Sequence, residues 1–364
     1  MRTQRTYNFG AGPAALPEPV LLEAQAELLN WQHSGMSILE IGHRTPEVVQ
    51  LFAQTEQSLR ELLTIPETYE VLFLGGAART QFAMIPMNLL NSEEQAGYLD
   101  TGMWSHMAFL EAQKLRKAYL IASEQKQSYR RIPEPSSWKW HADSTYFYYT
   151  PNETINGVRI PFIPKCDQGF LVADMTSCIL SEPIDINDYG LVFAGAQKNL
   201  ANAGLTLVII RKDLLKKSDS ERLPTMLDYR VQAEHHSLYA TPPVFNCYIA
   251  LKTLQWTKKQ GGVGAMYQEN RAKSSKLYQF IDASDFYYAP VEAEARSLVN
   301  VCFSLHKSEL EQAFIYDAEA RGLCALQGHR AVGGLRASLY NAMPMTGVDA
   351  LIEFMEEFSR KHQS

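Results

Sequence analysis

The stretch LVFAGAQKNLANAGLTLVIIR, residues 191–211, holds one lysine, Lys198, in a short polar turn between two apolar runs. Both runs are apolar enough to be buried strands, which places the turn at the end of a strand of a covered sheet. A buried ammonium is costly unless it is neutralised, and condensation with an aldehyde neutralises it. The pattern therefore predicts a lysine that forms a Schiff base.

A second apolar run, GFLVAD at residues 169–174, ends on the carboxylate of Asp174. A lysine that carries an aldehyde and an aspartate that holds a pyridinium nitrogen are the minimal set for pyridoxal phosphate (PLP) chemistry. Each residue also has an ordinary alternative. A lysine after a strand is usually solvated or paired with an acid, and Asp174, which Thr176 and Ser177 follow, could cap a helix.

The bulk composition describes an ordinary globular protein. Its 364 residues exceed what one hydrophobic core usually serves, so two domains are expected. Of these residues 46% are hydrophobic and 20% are charged, which is typical of a folded chain. The net charge of -6 argues against nucleic acid as a partner, because nothing would displace its counterions.

Cysteine usage and the N-terminus predict a soluble cytoplasmic protein. The five cysteines are an odd number and form no CxxC pair, which indicates reduced thiols and no zinc site. The first residues, MRTQRTYNFGAGPAALP, lack the apolar segment of a signal peptide. No apolar run approaches the ~18 residues of a membrane span.

Strands and helices alternate from residue 69 to residue 210, which predicts an α/β fold with a mostly parallel sheet covered on both faces. Ligands on such sheets bind at the carboxyl ends of the strands. A mixed α+β segment follows and predicts a smaller domain. The predicted strands are 71–74, 98–100, 146–150, 169–173, 191–194, 205–210, 300–305 and 335–340. The predicted helices are 17–31, 45–63, 80–89, 105–117, 244–259, 266–281, 309–321 and 348–361.

Three further loops carry candidate cofactor contacts. The turn Gly75-Gly76-Ala77-Ala78-Arg79-Thr80 joins a strand to a helix, a geometry that binds phosphate through backbone N–H groups. Trp104 follows another strand and could stack on an aromatic cofactor. Thr154 could donate its hydroxyl to a cofactor oxygen. The alternatives are a turn without a ligand, a core tryptophan and a threonine that closes a turn.

Arginine and histidine are concentrated in two other loops. His43 and Arg44 lie in one, and the run GHRAVGGLR at residues 328–336 holds His329, Arg330 and Arg336. Guanidinium groups match carboxylate and phosphate in two-pronged geometry, so this set suits a substrate with several negative charges. The alternative is a group of surface salt bridges.

Five motifs in order along the chain resemble the phosphoserine aminotransferases, a family of class V, fold-type I PLP enzymes. They are NFGAGPAALP (8–17), LEIGHR (39–44), PNETINGV (151–158), AGAQKN (194–199) and GHRAVGGLRASLYNAMP (328–344). The resemblance implies a homodimer with shared active sites. It also implies a large domain, residues 17–259, with a mostly parallel sheet of the seven-stranded type, and a small α+β domain formed by residues 1–16 plus 260–364.

The same resemblance implies roles for individual residues. Lys198 would form the Schiff base, Asp174 would pair with the pyridine nitrogen, Trp104 would stack on the ring and Thr154 would contact its edge. The substrate α-carboxylate would bind Arg336. The cofactor phosphate would be held by Ala78, Arg79, Gln197 and, from the partner subunit, Thr241 with its neighbour Ala240; the distal anion of the substrate would be held by His43, Arg44, His329 and Arg330.

The chain departs from the family pattern at three positions. Some members have a more glycine-rich phosphate turn than Ala77-Ala78-Arg79, a change that keeps the backbone donors. Some have asparagine where this chain has Ala240, so one side-chain donor is deleted here. Some place a serine near the substrate where this chain has Gly10.

The implied reaction moves an amino group between L-glutamate and 3-phosphohydroxypyruvate, giving 2-oxoglutarate and 3-phospho-L-serine in serine biosynthesis. The phosphohydroxythreonine pair of vitamin B6 synthesis is a further implied substrate. Two alternatives stay open. One is another class V enzyme, either a different aminotransferase or a cysteine desulfurase, and the latter commonly stacks histidine where this chain has Trp104. The other is a PLP-binding protein without catalysis.

Overall fold

The computed structural model describes residues 5–166, 168–216 and 223–362. The strands are β1 Tyr7–Asn8, β2 Tyr69–Gly75, β3 Gln95–Asp100, β4 Lys117–Ser123, β5 Ser144–Tyr149, β6 Asn152–Glu153, β7 Val158–Arg159, β8 Phe170–Asp174, β9 Tyr189–Gly195, β10 Leu205–Arg211, β11 Tyr287–Tyr288, β12 Asn300–Leu305, β13 Leu323–Cys324 and β14 Leu335–Ser338. The α-helices are α1 Glu18–Glu27, α2 Pro46–Leu63, α3 Arg79–Leu89, α4 Met103–Leu115, α5 Tyr229–Glu234, α6 Val244–Lys259, α7 Gly262–Asp282, α8 Glu311–Ala320 and α9 Met345–His362.

The main sheet has seven strands in the order β2-β10-β9-β8-β5-β3-β4. Strand β10 runs antiparallel to both of its neighbours, whereas β9, β8, β5, β3 and β4 pair in parallel. The α/β class and the mostly parallel seven-stranded sheet are therefore confirmed. The carboxyl ends of β5, β8 and β9 lie side by side, which brings the turns after them together.

Both faces of this sheet are buried, as the sequence of β10 illustrates. Leu205, Leu207 and Ile209 pack in one hydrophobic cluster, while Val208 and Ile210 pack in the other. Alternate side chains of a strand point to opposite faces, so a strand covered on both faces needs apolar residues throughout. Burial of each such side chain stabilises the fold by roughly 1.5–3 kcal/mol.

Most predicted elements are present with shifted ends. Helix α6 and strand β12 have the predicted bounds, whereas α1 ends at Glu27 instead of residue 31. The prediction was wrong at residue 117, because α4 ends at Leu115 and Lys117 begins β4. Only Arg116 separates this strand from α4, so no glycine or proline marks the boundary and the predicted helix runs into the strand. The short α5 was also missed.

The C-terminal third forms a second sheet and a separate core. Strands β11, β12 and β14 form a three-stranded antiparallel sheet. The N-terminal strand β1 pairs in parallel with β13, so the N-terminal segment joins the C-terminal third. Phe9, Leu277, Phe314 and further residues form a hydrophobic cluster distinct from the two of the main sheet. Among the described residues, no helix combines the length and the hydropathy needed to cross a membrane.

Candidate active site

A cavity of about 310 Å³ lies at the carboxyl ends of β5, β8 and β9. The turns after these strands, the starts of α3 and α4, the N-terminal loop and β14 contribute to its wall. It brings together nine of the residues that the sequence singled out. They are Ala78, Arg79, Trp104, Thr154, Asp174, Gln197, Lys198, His329 and Arg336.

Lys198 lies in the turn after β9 and is only 7% exposed. Its Nζ donates a hydrogen bond to Thr154 Oγ1 at 2.5 Å. Burial lowers the pKa of its ammonium to about 8; the charge of Asp174 opposes this change and the charge of Arg336 adds to it. A neutral amine is the nucleophilic form, so burial makes Lys198 more reactive near neutral pH.

Asp174 is the last residue of β8 and is buried. Burial raises the pKa of its carboxyl, while hydrogen bonds from Thr176 and the nearby Lys198 ammonium lower it. The Thr176 N–H donates to Asp174 Oδ1 at 2.9 Å, so this side chain does cap the turn that follows the strand. The capping and cofactor hypotheses are thus compatible, because the same carboxylate also lines the cavity.

The predicted phosphate turn connects β2 to α3. Gly76 has a φ of +117°, a conformation that a side chain disfavours, and α3 begins at Arg79 without a side-chain cap. A Cβ on Gly195 would lie 2.5 Å from Gln197 Oε1 and 3.1 Å from Ala78 Cβ. This glycine therefore lets the turn after β9 approach the start of α3. Helix starts present unpaired N–H groups, which suits an anion at this place.

Trp104 is the second residue of α4 and is half-buried at the cavity wall. Its buried indole Nε1 has no hydrogen-bond partner among the described residues. The guanidinium of Arg79 lies 5.0 Å from the centroid of the indole ring. Arg79 and Trp104 thus meet across the cavity in a cation–π contact.

Arg336 enters the cavity from β14, on the second sheet. Its Nη1 donates to the carbonyl oxygen of Thr154 at 3.3 Å, and its buried Nε lacks a partner in the part of the chain that the structure describes. Partial burial and the charges of Arg336, Arg330 and Arg79 lower the pKa of the nearby His329. The arginines give this side of the cavity a positive potential that attracts anions.

Five of the predicted site residues do not line this cavity. Arg44 is exposed, and its Nη2 donates to the Tyr239 carbonyl oxygen at 3.4 Å, next to the predicted phosphate ligands. His43 is buried, and its Nε2 has no partner among the described residues. The residues outside the cavity of their own chain are His43, Arg44, Ala240, Thr241 and Arg330.

Several polar residues of the cavity wall were missed. Thr150 and Asn152 follow β5, and Thr176 and Ser177 follow β8. Their position after a parallel strand is a signal that could have identified them. Glu153 lies beside the cavity and is fully buried. Its carboxylate binds N–H groups at the start of α4, about 50 residues earlier in the chain, so no local pattern of the sequence indicates this contact.

Comparison with known proteins identifies the family. The model of the aminotransferase class-V family matches residues 6–351. A phosphoserine aminotransferase of Legionella pneumophila (strain Corby) is 62% identical over 98% of this chain and 99% of its own length. The structure of phosphoserine aminotransferase from Bacillus circulans subsp. alkalophilus superposes with a TM-score of 0.96 at 44% identity, covering 99% of both chains. PLP-bound phosphoserine aminotransferase from Trichomonas vaginalis gives a TM-score of 0.93 at 38% identity, covering 97% of this chain and 100% of its own. The chain therefore belongs to the class-V aminotransferase family.

Proposed function

We propose that this chain is a PLP-dependent phosphoserine aminotransferase. It exchanges an amino group between L-glutamate and 3-phosphohydroxypyruvate, with 2-oxoglutarate and 3-phospho-L-serine as the products, and so serves serine biosynthesis. One observation carries the proposal: the buried Lys198, with the pKa of its amine lowered, shares a cavity with the carboxylate of Asp174 and the guanidinium of Arg336. The full-length identity to a named phosphoserine aminotransferase supports the same activity.

The residues of the cavity fit PLP. Asp174 offers a buried carboxylate for the pyridine nitrogen, Trp104 offers an aromatic face, and the start of α3 offers backbone donors for the phosphate. Thr154 is the proposed contact at the edge of the ring. Bound PLP supplies an electron-withdrawing ring that accepts electrons from the bonds of the substrate Cα. The proposed phosphate contacts within this chain are Ala78, Arg79 and Gln197.

Lys198 is the proposed acid and base of the reaction. With cofactor and substrate bound, the Lys198 amine would take the proton from the substrate Cα as a base, and the resulting ammonium would donate that proton again as an acid. Thr154 holds the Nζ atom by a hydrogen bond and limits the positions that this amine can sample. Burial lowers the pKa of this lysine to about 8, so a substantial fraction of the amine is neutral at mildly alkaline pH. A general base requires this neutral form.

Arg336 is the proposed ligand of the substrate α-carboxylate. Its buried Nε lacks a protein partner among the described residues, and a carboxylate would satisfy it. His329, also at the cavity, and Arg330 from the same loop are proposed to bind the distal anion. Glutamate and phosphoserine both carry an α-carboxylate and a distal anion, so one basic pocket serves both substrates.

The remaining site residues are proposed to act across a homodimer. Arg44 contacts the carbonyl oxygen of Tyr239, next to Ala240 and Thr241, and neither His43 nor Arg44 lines the cavity of its own chain. Met36, Leu39 and Tyr239 near them are exposed hydrophobic side chains, 48%, 62% and 38% accessible. A second copy that covers this surface would receive Ala240 and Thr241 at its phosphate and His43 and Arg44 at its substrate pocket.

The domain division and the compartment are also proposals. The separate hydrophobic cluster and the pairing of β1 with β13 support a small domain of residues 1–16 plus 260–364 and a large domain of residues 17–259. The ends of the small domain, residues 1–4 and 363–364, lie outside the described residues.

Cys178, Cys247 and Cys324 are free thiols, which supports the reducing environment of the cytoplasm.

A coupled assay tests the proposed function. We expect turnover with glutamate and 3-phosphohydroxypyruvate. The kcat/KM with unphosphorylated 3-hydroxypyruvate should be much lower, because this compound lacks the distal phosphate that His329 and Arg330 are proposed to bind. A yellow preparation should also bleach when glutamate alone is added. A preference for the unphosphorylated compound contradicts the distal-anion site. Colour without bleaching or turnover would indicate a binding protein, and sulfur release from cysteine would indicate a desulfurase.

A further inference from the structure

The turn that carries Thr154 also holds the start of helix α4. Glu153 has no exposed surface, and its two carboxylate oxygens accept hydrogen bonds from successive N–H groups of the helix. Oε2 accepts from Trp104 N at 3.1 Å, and Oε1 accepts from Ser105 N at 2.9 Å. The side chain of Asn156 accepts from Met103 N at 3.4 Å. Residues 153–156 thus satisfy the first three N–H groups of α4.

Gly102 leaves the room that this arrangement needs. A Cβ at this position would lie 2.3 Å from the Glu153 Cδ atom. Because a side chain cannot occupy that space, the residue before α4 must be glycine for the carboxylate to reach the helix. The start of α4 is filled by a protein carboxylate, unlike the start of α3, which has no side-chain cap. Only the latter is left for the cofactor phosphate.

The protonation of Glu153 depends on its burial and on the N–H groups that it binds. Burial raises the pKa of its carboxyl to about 7, and hydrogen bonds from Ser105 and Trp104 oppose this rise. A buried carboxylate is costly without such partners, and the positive end of a helix dipole favours the charged form. Above about pH 7, where the carboxylate is ionised, it joins the turn to α4 more strongly than a neutral side chain could.

Both residues that Glu153 adjoins face the cavity. Trp104, whose N–H it binds, presents its indole there, and Thr154, the next residue along the chain, binds Lys198 Nζ. We propose that Glu153 is a positioning residue for the cofactor. Its carboxylate fixes the indole of Trp104 and the hydroxyl of Thr154 on one rigid unit, so that the aromatic wall and the reactive lysine keep a constant separation. This inference rests on the proposed function, because it assumes that PLP occupies the cavity.

The test replaces Glu153 and compares it with a second buried carboxylate cap. Glu153→Gln keeps the shape but places an amide NH₂ against a backbone N–H. The matched control is Asp228→Asn, since Asp228 is buried, accepts from Arg230 N at 2.8 Å at the start of α5, and lies outside the cavity lining. For each protein the measurements are the PLP dissociation constant, the visible circular dichroism of bound PLP, and the Tm of the apo form.

We expect Glu153→Gln to weaken PLP binding about tenfold, the scale of one lost charge-assisted hydrogen bond, and to change the visible circular dichroism. Asp228→Asn should lower the apo Tm but leave both cofactor readouts close to wild type. In a Trp104→Ala background, Glu153→Gln should lose much of its effect, because residues that act through one contact are not additive. Where Glu153→Gln does not fold, Glu153→Asp is measured in the same way, and its shorter side chain should also weaken PLP binding.

The proposal is overturned if the folded variant binds PLP with wild-type affinity and an unchanged spectrum, or if its effect is undiminished in the Trp104→Ala background. It is also overturned if Asp228→Asn perturbs the cofactor equally, because any loss of stability would then suffice. Wild-type protein that binds no PLP would instead reject the proposed function, and this outcome is distinguishable because it needs no variant.

Discussion

At the scale of single residues, burial and two neighbouring charges together set the pKa of the Lys198 amine. Burial lowers the pKa of its amine, Asp174 raises it and Arg336 lowers it. The carboxylate and the guanidinium therefore oppose each other at one nitrogen atom. The balance leaves an amine that can be either protonated or neutral near pH 8, as the proposed role of moving a proton in both directions requires.

Lys198→Ala should lower kcat by at least about a thousandfold, because no other amine lines the cavity among the described residues to serve as the general base. The variant should still bind PLP, but without a bond that borohydride can reduce. Peptide mapping after borohydride treatment should find the label at Lys198 in the wild type and at no position in the variant. Labelling of another lysine in the wild type contradicts the assignment.

Arg336→Gln should raise the pKa of Lys198 in the apo protein. The charge of Arg336 disfavours a second positive charge on the nearby ammonium, so its removal makes the protonated form more stable. The neutral form that reacts with an amine reagent is then reached at higher pH. We expect the labelling midpoint of Lys198, followed by peptide mapping, to lie near pH 8 in the wild type and higher in the variant. A midpoint that falls would reverse the assigned sign.

At the scale of elements, the site is made from turns that follow adjacent parallel strands. The last residue of β8 is Asp174, the turn after β9 brings in Lys198, and the turn after β2 brings in the start of α3. Their close approach depends on small residues between them, above all Gly195. The sequence predicted these turns well because parallel strands are long apolar runs that end in polar residues. It missed the start of β4 because only Arg116 separates this strand from α4, so no turn residue marks where the helix ends.

Gly195→Ala should weaken PLP binding, because its Cβ would lie 2.5 Å from Gln197 Oε1 and would displace that proposed phosphate ligand. A matched control is Gly264→Ala in α7, where no atom lies within 4 Å of the added Cβ. The control should bind PLP as the wild type does and should be more stable by roughly 0.5–1 kcal/mol, since alanine favours a helix. Titration of apo protein with PLP and thermal unfolding measure both effects. Equal PLP affinity in the two variants would show that Gly195 has no special role.

At the scale of the whole molecule, the cavity of one chain lacks several of its proposed ligands. Arg44 and the segment Tyr239 to Thr241 contact each other, although 195 residues separate Arg44 from Tyr239. A second copy would bring this group to the other chain's cavity. The site would then combine Lys198 of one chain with Arg44 of its partner, so that neither chain is complete alone.

Co-expression of Lys198→Ala with Arg44→Ala should restore activity that neither variant has alone. In the hybrid dimer, one site has Lys198 from the second variant and Arg44 from the first, and is therefore intact. Each hybrid dimer has one intact site of two, so purified hybrid dimers should have about half of wild-type activity. Random pairing makes half of all dimers hybrid, so the unfractionated mixture should have about a quarter. If Arg44 served its own chain, no site of the hybrid would be intact and the mixture would stay inactive. The assay uses separately tagged chains and purified hybrid dimers.

The sequence by itself determined the α/β architecture and the positions of Lys198 and Asp174 at the ends of buried strands. These features are local, because the apolar period and the residues that end a run are written in neighbouring positions. Only the tertiary structure decided that Thr154 binds Lys198 Nζ, that Glu153 caps α4 and that Arg44 lies outside its own cavity. Each of these contacts joins segments far apart in the chain. Their geometry depends on how the sheet, the helices and the turns pack together, which no short pattern records.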